Sequence, residues 1–391
     1  MASFASVGGT QLVVLGQGWL IFELSGSPLD LGLLGAAASI PSILLALLGG
    51  AIADRFNKRS ILLLTSACTV LLLGVLTLLD YLNVVKVWHV LTIATLISLV
   101  TGIEWPTRAA FFPHLIQRDG LMSAVALNSF IWQSTRMMMP ALGGLIIAGV
   151  DTWAIFALGS LGFTAMYLVI LSMQVHLPGE RHISTLAQAK EGIDFIMHNE
   201  LFKWLMLLSF VCMFFGNSYM QLMPVFIDLL GSDELGYGYL LSATGIGSIL
   251  GTFSIVGAQH SRRLGYILLG GAIGMTICLY GFSLATRTGS YPAALFFALA
   301  AACSNSIMMI TSMTILQLRV PDRLRDRVIG IHSISFNLMP LGGLLLGVLA
   351  AIVAPTTAVM MGASICMLFC IFIFFQKPLI KRINGSELND P

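Results

Sequence analysis

Two side chains in this sequence carry charge where the surrounding residues are apolar. Glu104, in "ISLVTGIEWPTR", and Arg136, in "QSTRMMMPALGG", each interrupt a long hydrophobic run. A carboxyl group can take up and release a proton, whereas a guanidinium keeps its charge and offers a planar fork of donors. A charge at the centre of a membrane span costs roughly 3 kcal/mol on insertion scales, and such a residue is a functional-site hypothesis by default. Glu104 is therefore a candidate for proton coupling. Arg136 is a candidate for holding an anionic part of a substrate or for balancing an acid. Four residues on, Pro140 cannot donate to the carbonyl of Arg136, so the helix is expected to bend there. Gly143 and Gly144 then let another helix approach closely. A second cluster, "GGAIADRFNKR" at 49–59, sets Asp54 beside Arg55, Lys58 and Arg59 where an apolar run ends.

The elements that must carry these residues follow from composition. The 391 residues are 57% hydrophobic and 10% charged, against about 25% charged in a soluble domain. Uncharged runs such as Ser60–Leu79, Leu264–Thr286 and Thr288–Leu318 supply the roughly 20 apolar residues that a bilayer-spanning helix needs. Twelve spans are expected, at 2–23, 29–53, 60–80, 88–112, 121–150, 152–175, 202–228, 235–258, 264–285, 291–318, 329–352 and 356–376. With alternate loops given to opposite sides, one side holds 17 Lys and Arg residues and the other only Lys86 and Arg287. The positive side is expected to be cytoplasmic, and both termini with it. Met1–Phe22 has neither the basic segment nor the cleavage site of a signal peptide. The net charge of +2 gives no reason to expect a nucleic-acid partner.

Glu104 and Arg136 are not expected to pair. In a hairpin of the fourth and fifth spans they are offset by about nine residues, or roughly 13 Å. Asn128 or Arg108 is the expected neighbour of Glu104. The six cysteines all fall within spans without a CxxC pair and read as small apolar residues. The seven histidines show no metal spacing, and no phosphate loop or nucleophile motif appears. No enzyme activity, cofactor or metal is expected.

The chain repeats itself. "MMPALGGLIIAGV" at 138–150 returns as "LMPLGGLLLGVLA" at 338–350, and "LGLLGAAASIPSIL" at 31–44 as "YGYLLSATGIGSIL" at 237–250. Both pairs lie roughly 200 residues apart, in the second and fifth spans of each half. The expected fold is an all-α membrane protein with twelve transmembrane helices in two six-helix pseudo-symmetric bundles. Repeats of equal topology imply a twofold axis along the membrane normal and a central cavity. The bundles are 1–175 and 202–377. A linker, 176–201, carries an amphipathic helix with Leu186, Ile193 and Ile196–Met197 on one side and Thr185 and Gln188 spaced as a capping box. A cytoplasmic tail follows at 378–391.

"GGAIADRFNKR" resembles the cytoplasmic signature of the major facilitator superfamily, with Gly50, Asp54, Arg55, Lys58 and Arg59 in the matching places. Asn57 stands where that signature has glycine, as the next best residue for a left-handed turn. Further pieces resemble one branch of the superfamily, that of enterobactin and macrolide exporters: "ELSGSPLDLGLLG", "EWPTRAAFFPHL", "LNSFIWQSTRMMMPALGG", "AKEGIDFI" and "VPDRLRDRV". Met139 and Asp326 replace glycines of the family pattern. The resemblance implies that Asp54 faces the amino end of the eleventh span near Arg327–Gly330. There Gly50, Asp54, Arg55, Lys58, Arg59 and Arg108 form a cytoplasmic gate, with Arg59 and Arg108 as partners for Asp54. Asp54 is the second proton-coupling candidate. The resemblance also implies a cavity lined by spans one, four, seven and ten, with Gln17, Asn217, Gln221 and Asn305 as polar contacts beside Asn128 and Arg136.

The function this implies is secondary active export of small amphipathic molecules, drugs or siderophores, by alternating access with proton antiport. The partners are a small-molecule substrate, protons and membrane lipids; the protein is a multi-pass monomer of the plasma (inner) membrane. A lysophospholipid flippase of the same fold, or a membrane receptor or scaffold that transports nothing, are the alternatives. Buried charges and a twofold repeat favour transport, since a scaffold gains from neither.

Overall fold

An apolar run in hydrocarbon must close its backbone hydrogen bonds within its own segment, and a helix does this. The computed structural model is helical at each expected span; it describes residues 2–55, 57–111, 121–173, 185–255, 261, 263–381 and 383. In the first half lie α1 (Ala2–Ser25), α2 (Pro28–Arg55), α3 (Lys58–Tyr81), α4 (Val87–Phe111), α5 (Leu121–Gly149) and α6 (Thr152–Ser172). The linker helix is α7 (Thr185–His198). Then come α8 (Glu200–Val211), α9 (Met223–Leu229), α10 (Glu234–Ser254), α11 (Leu264–Arg287), α12 (Tyr291–Arg319), α13 (Asp322–Ser333), α14 (Ser335–Ile352), α15 (Pro355–Gln376) and α16 (Pro378–Lys381). Among the described residues there is no strand. Ten helical stretches there are long and apolar enough to cross a membrane. The other two expected spans, α5 and α10, are helices too. Large apolar side chains face outward, Leu71 at 69% exposed and Phe375 at 71%. A water-facing surface would place charges there.

Local chemistry sets the helix ends. The Asn199 side chain accepts from the N–H of Leu201 at 3.0 Å, and that of Asp151 from Thr152 at 2.7 Å. Pro355 opens α15, where a missing N–H costs nothing. Asn57 is not in the left-handed turn expected of it. Its backbone is extended (φ −61°, ψ 116°) and its side chain accepts from the Arg59 N–H at 3.0 Å, so it caps α3. An N-cap needs an extended residue with a side-chain acceptor, which asparagine supplies and glycine does not.

The chain forms two compact units. The first is Met1–Ala187 with Asp233–Ser242. In it α1 packs on α5 and α6, and α2 on α4. Glycines permit the closest crossings. A methyl on Gly144 would sit 2.7 Å from the Glu234 carbonyl oxygen, and one on Gly238 would sit 2.6 Å from that of Pro140. Gly143 faces Leu12 and Leu15 of α1. Trp19 stacks on Tyr237 with ring centroids 5.4 Å apart.

The second unit is Gln188–Ser232 with Ala243–Pro391. Here α10 crosses α12 through Gly247 and Gly251, which face the carbonyls of Leu299 and Cys303. The repeated glycine pair recurs on α14. Gly342 lies against the Phe214 carbonyl and Gly343 against the aliphatic part of Gln221. So Gly143 meets the first span of its half and Gly144 meets α10, whereas Gly342 and Gly343 both meet the seventh span. The seventh span itself is broken. Between α8 and α9 run a π turn, Cys212–Gly216, and a 3-10 turn, Asn217–Leu222. Pro224 at the start of α9 has no N–H to bond back, and the Cys366 thiol donates to the Val211 carbonyl at 3.5 Å.

Two further parts of the sequence pack onto this unit. The linker helix rests on α13, Gly192 against Arg327 and Ile331, and Glu191 bonded to both Arg323 (2.9 Å) and Arg327. Ile196 is buried, while Ile193 and Met197 stay exposed. The side chains of Leu186 and of the capping-box residues Thr185 and Gln188 lie outside the described residues. After α15, Lys377 reaches back to Glu200 at 3.3 Å and lies 4.7 Å from the centre of the Trp204 ring. The Gly265 N–H donates to the Ile383 carbonyl at 3.3 Å, and Ile380 and Ile383 are buried.

Gly342→Ala tests the glycine crossing. Alanine improves helix propensity by about 1 kcal/mol, but its methyl collides with a backbone carbonyl that cannot swing away. Overpacking of this kind costs about 1–3 kcal/mol. The thermal unfolding midpoint of the detergent-solubilised protein is expected to fall by a few degrees. Gly149→Ala, with nothing within 4 Å of the new methyl, is expected to leave it unchanged or raise it.

Candidate functional site

Glu104 and Arg108 stand one turn apart on the same face of α4, with Nη1 and Oε1 3.8 Å apart. Both are withdrawn from solvent, their side chains 7% and 14% exposed. The Arg108 Nη2 donates to the Ser6 hydroxyl of α1 at 2.7 Å, and Ser6 in turn donates to the Ser3 carbonyl at 3.2 Å. Glu104 Oε2 and Arg108 Nε are buried without a hydrogen-bond partner among the described residues. A buried ion pair stabilises a protein only when its remaining lone pairs and protons are satisfied. This one is half satisfied, so stability does not account for it. Chemically it can do one thing well. A carboxyl is able to bind or lose a proton while a guanidinium beside it keeps its charge.

Arg108 is thus tied to Glu104 and Ser6. Asn128, the other expected neighbour of Glu104, is exposed on α5. Of the remaining gate candidates, Gly50 has no side chain, and those of Asp54 and Arg55 lie outside the described residues, as does that of Asp326. Lys58 is buried at the start of α3. Arg59 donates from Nε to the Ile170 carbonyl (3.2 Å) and from Nη2 to that of Leu171 (2.8 Å). A cation bonded to the last carbonyls of α6 satisfies acceptors that the helix leaves open and complements its dipole.

Arg136 is half-buried on α5, which continues as helix through the buried Pro140 to Gly149. The packing surface immediately after it, Gly143–Gly144, meets α1 and α10. Met139 lays its sulfur against Gly8 of α1. Gln17, also on α1, is buried with its Nε2 unpaired among the described residues. In the second unit, Asn217 sits at the junction of the π and 3-10 turns. Its Nδ2 donates to the sulfur of Met339 at 3.3 Å and points to that of Met213 at 3.8 Å. Gln221 covers Gly343 one turn later. Asn305 is buried on α12, its Oδ1 unpaired among the described residues. The methionines Met223, Met308 and Met309 are buried core.

Sequence reasoning did not find Ser6 as the acceptor for Arg108, the capping role of Arg59, or the break in the seventh span. Pro224 and Gly216 were its only local signals. Among the described residues no three His, Cys, Asp or Glu side chains converge as metal ligands would.

A family model described as "Transmembrane secretion effector" matches residues 1–388. The staphyloferrin A transporter of Staphylococcus aureus is 24% identical, over 99% of this chain and 97% of its own. The multidrug efflux pump Tap of Mycolicibacterium fortuitum is 24% identical over 98% and 95%. The enterobactin exporter EntS of Shigella boydii is 25% identical over 80% and 74%. Among solved structures, the nucleoside transporter NupG superposes with a TM-score of 0.73 at 12% identity, covering 96% of this chain and 98% of its own. A bacterial homologue of the lysosomal transporter Spinster gives 0.72 at 14% identity, over 99% and 95%. At these identities the structures speak for the fold.

The ion pair predicts a double-mutant pattern. Arg108→Met leaves a buried carboxylate without its counter-charge, a loss of about 3–5 kcal/mol. Glu104→Gln in the same chain removes that charge and is expected to recover most of the loss. Thermal unfolding of the single and double variants checks this; a double variant no more stable than Arg108→Met would separate the two side chains energetically.

Proposed function

From a chain that belongs to the transmembrane secretion effector family of major facilitator transporters, matched over residues 1–388, we propose a secondary active exporter of small amphipathic molecules, siderophores or drugs, driven by proton antiport. The observation that carries this reading is the Glu104–Arg108–Ser6 cluster, a proton-accepting group with a fixed counter-charge inside a spanning helix. The relatives support the substrate class. Two bear the names of siderophores and one of multidrug efflux.

In this reading Glu104 binds a proton from the outer side and returns it to the cytoplasm as substrate leaves. Arg108 keeps its charge throughout, so the carboxyl changes state beside a constant field. Ser6 makes α1 sense the change, because a neutral Glu104 no longer draws the guanidinium away from that hydroxyl. A ligand shifts a conformational equilibrium only by its differential affinity for the two states, and the proton supplies this difference for alternating access. Arg136, Gln17 and Asn128 in the first unit, and Asn217, Gln221 and Asn305 in the second, are the polar side chains offered to substrate. The residues Gly50, Asp54, Arg55, Lys58 and Arg59 belong to the cytoplasmic face, where the basic loops and both termini lie, in the inner membrane.

The test is uphill transport in a strain stripped of its own efflux pumps, using a panel of siderophores and cationic dyes with and without an uncoupler. The wild-type protein is expected to expel at least one of them and to stop when the proton gradient is dissipated. Glu104→Gln is expected to bind the same compound normally and fail to concentrate it against a gradient. Transport that ignores the uncoupler, or a Glu104→Gln protein with full pH-driven efflux, overturns the reading.

A further inference from the structure

A second titratable cluster lies in the second unit, on other helices. The hydroxyl oxygens of Ser209 on α8 and Ser312 on α12 are 3.0 Å apart, and each is 3.3 Å from Nε2 of His332 on α13. Three helices thus meet in a closed triangle of polar atoms. Ser209 and Ser312 are fully buried and His332 is 3% exposed. The Ser209 hydroxyl also reaches the Leu205 carbonyl at 3.2 Å. His332 stands where α13 gives way to α14. The Ser335 hydroxyl donates to the His332 carbonyl, and the Asn337 N–H bonds to the carbonyl of Ile334 three residues back, at 2.9 Å, which tightens the turn.

We propose that His332 is a second proton-binding site, and that proton uptake on its imidazole releases α13 from Ser209 and Ser312. The inference goes beyond the exporter reading, whose proton sits on Glu104 in the first unit. The step is a simple transfer: hydronium gives its proton to a ring nitrogen and leaves as water.

The reason lies in what the triangle can hold. A neutral ring has one donor and one acceptor nitrogen, so Nε2 can face hydroxyls in either tautomer. An imidazolium donates from both nitrogens and carries a charge that a buried site must balance. Among the described residues, the elements packed around the ring supply no carboxylate to balance it. On α8 the ionisable groups are Glu200 and Lys203 at its far end, with Cys212 one turn past Ser209; Glu200 pairs with Lys377. On α12 the ionisable groups nearest Ser312 are Cys303 and Arg319, the latter two turns on. On α13, Arg323 and Arg327 bind Glu191 and Arg325 is a further cation, while the side chains of Asp322 and Asp326, roughly one and a half turns or more before the ring, lie outside the described residues. There is no ionisable side chain on α14. Among the described residues no carboxylate bonds to the ring. The charged form therefore belongs to an arrangement in which α13 has turned His332 toward water, and proton binding favours that arrangement. Because Glu191 and Gly192 fasten α7 to α13, the linker helix moves with it.

The experiment is hydrogen–deuterium exchange by mass spectrometry on the full chain in lipid nanodiscs, from about pH 5 to about pH 8, the range over which histidine changes charge. After correction for intrinsic rates, peptides covering α13 in the wild type are expected to exchange at least roughly threefold faster at the acid end, as local opening requires. His332→Gln keeps a hydrogen-bonding amide but takes no proton, and its profile is expected to be flat. Ser209→Ala with Ser312→Ala keeps the ring and removes the hydroxyls, which is expected to move the midpoint. Glu104→Gln is expected to leave the α13 response intact, so that loss of the exporter reading and loss of this one are told apart. A flat wild-type profile overturns the proposal. So does a His332→Gln profile that matches the wild type, or, should that variant not fold, a serine double variant with an unmoved midpoint.

Discussion

Hydrocarbon offers no hydrogen bonds and no hydrophobic drive between helices, and the organisation of this protein follows from that pair of absences. The first forces every span into a helix that satisfies its own backbone. The second means that helices must be held by close packing and by a few polar contacts. Glycine answers the packing requirement. Gly144 against Gly238, Gly247 and Gly251 against carbonyls of α12, and Gly342 against the Phe214 carbonyl each bring backbone to backbone. The repeat at 138–150 and 338–350 is thus a repeat of contact surface. In the first unit it fastens α5 to both α1 and α10, and in the second it fastens α14 to the seventh span.

The same absences make every polar group inside a span conspicuous. Most are tied off locally, as when Thr135 bonds to Ile131 or Ser248 to Thr244 within their own helices. Others cross between helices, as when the Ser98 hydroxyl donates to the Ala38 carbonyl at 2.6 Å, and three such places among the described residues stand out by their chemistry. Glu104 and Arg108 share a charge pair that is only half satisfied and reach α1 through Ser6. Asn217 finds methionine sulfur as its acceptor, a weak partner, at a point where the helix is wound as π and then 3-10. Ser209, Ser312 and His332 close a triangle across three helices. Single-turn π segments recur at functional sites, and polar groups left under-satisfied by their own helix are the ones able to respond to a proton or a substrate.

Much of this was legible in the sequence. Uncharged runs located the helices, because length and the absence of charge are enough to specify a span. The glycine motifs located the crossings. Glu104 stood out because no apolar run tolerates a carboxylate without reason. What was not legible depended on distance along the chain. Ser6 lies 102 residues from Arg108, and nothing in either segment announces the other. Arg59 sat in a motif that pointed to Asp54, whose side chain lies outside the described residues, and its bonds to the carbonyls of Ile170 and Leu171 had no signal there, since an arginine fork goes to unbonded carbonyls as well as to carboxylates. Asn57 was read through the glycine it replaces, whereas its side chain let it cap α3. The broken seventh span was hidden because its residues are as apolar as those of an intact helix.

The contacts of Lys377, Ile380 and Ile383 bear on how the molecule is made. Glu200 and Trp204 lie on α8, and their partner Lys377 lies 177 residues after Glu200. Gly265 likewise receives its cover from Ile380 and Ile383. A ribosome delivers these segments in order, so α8 and α11 are synthesised and inserted before the residues that seal them exist. These contacts of the second unit therefore close only after α15 has followed the earlier helices out of the ribosome, and α16 acts as their stopper.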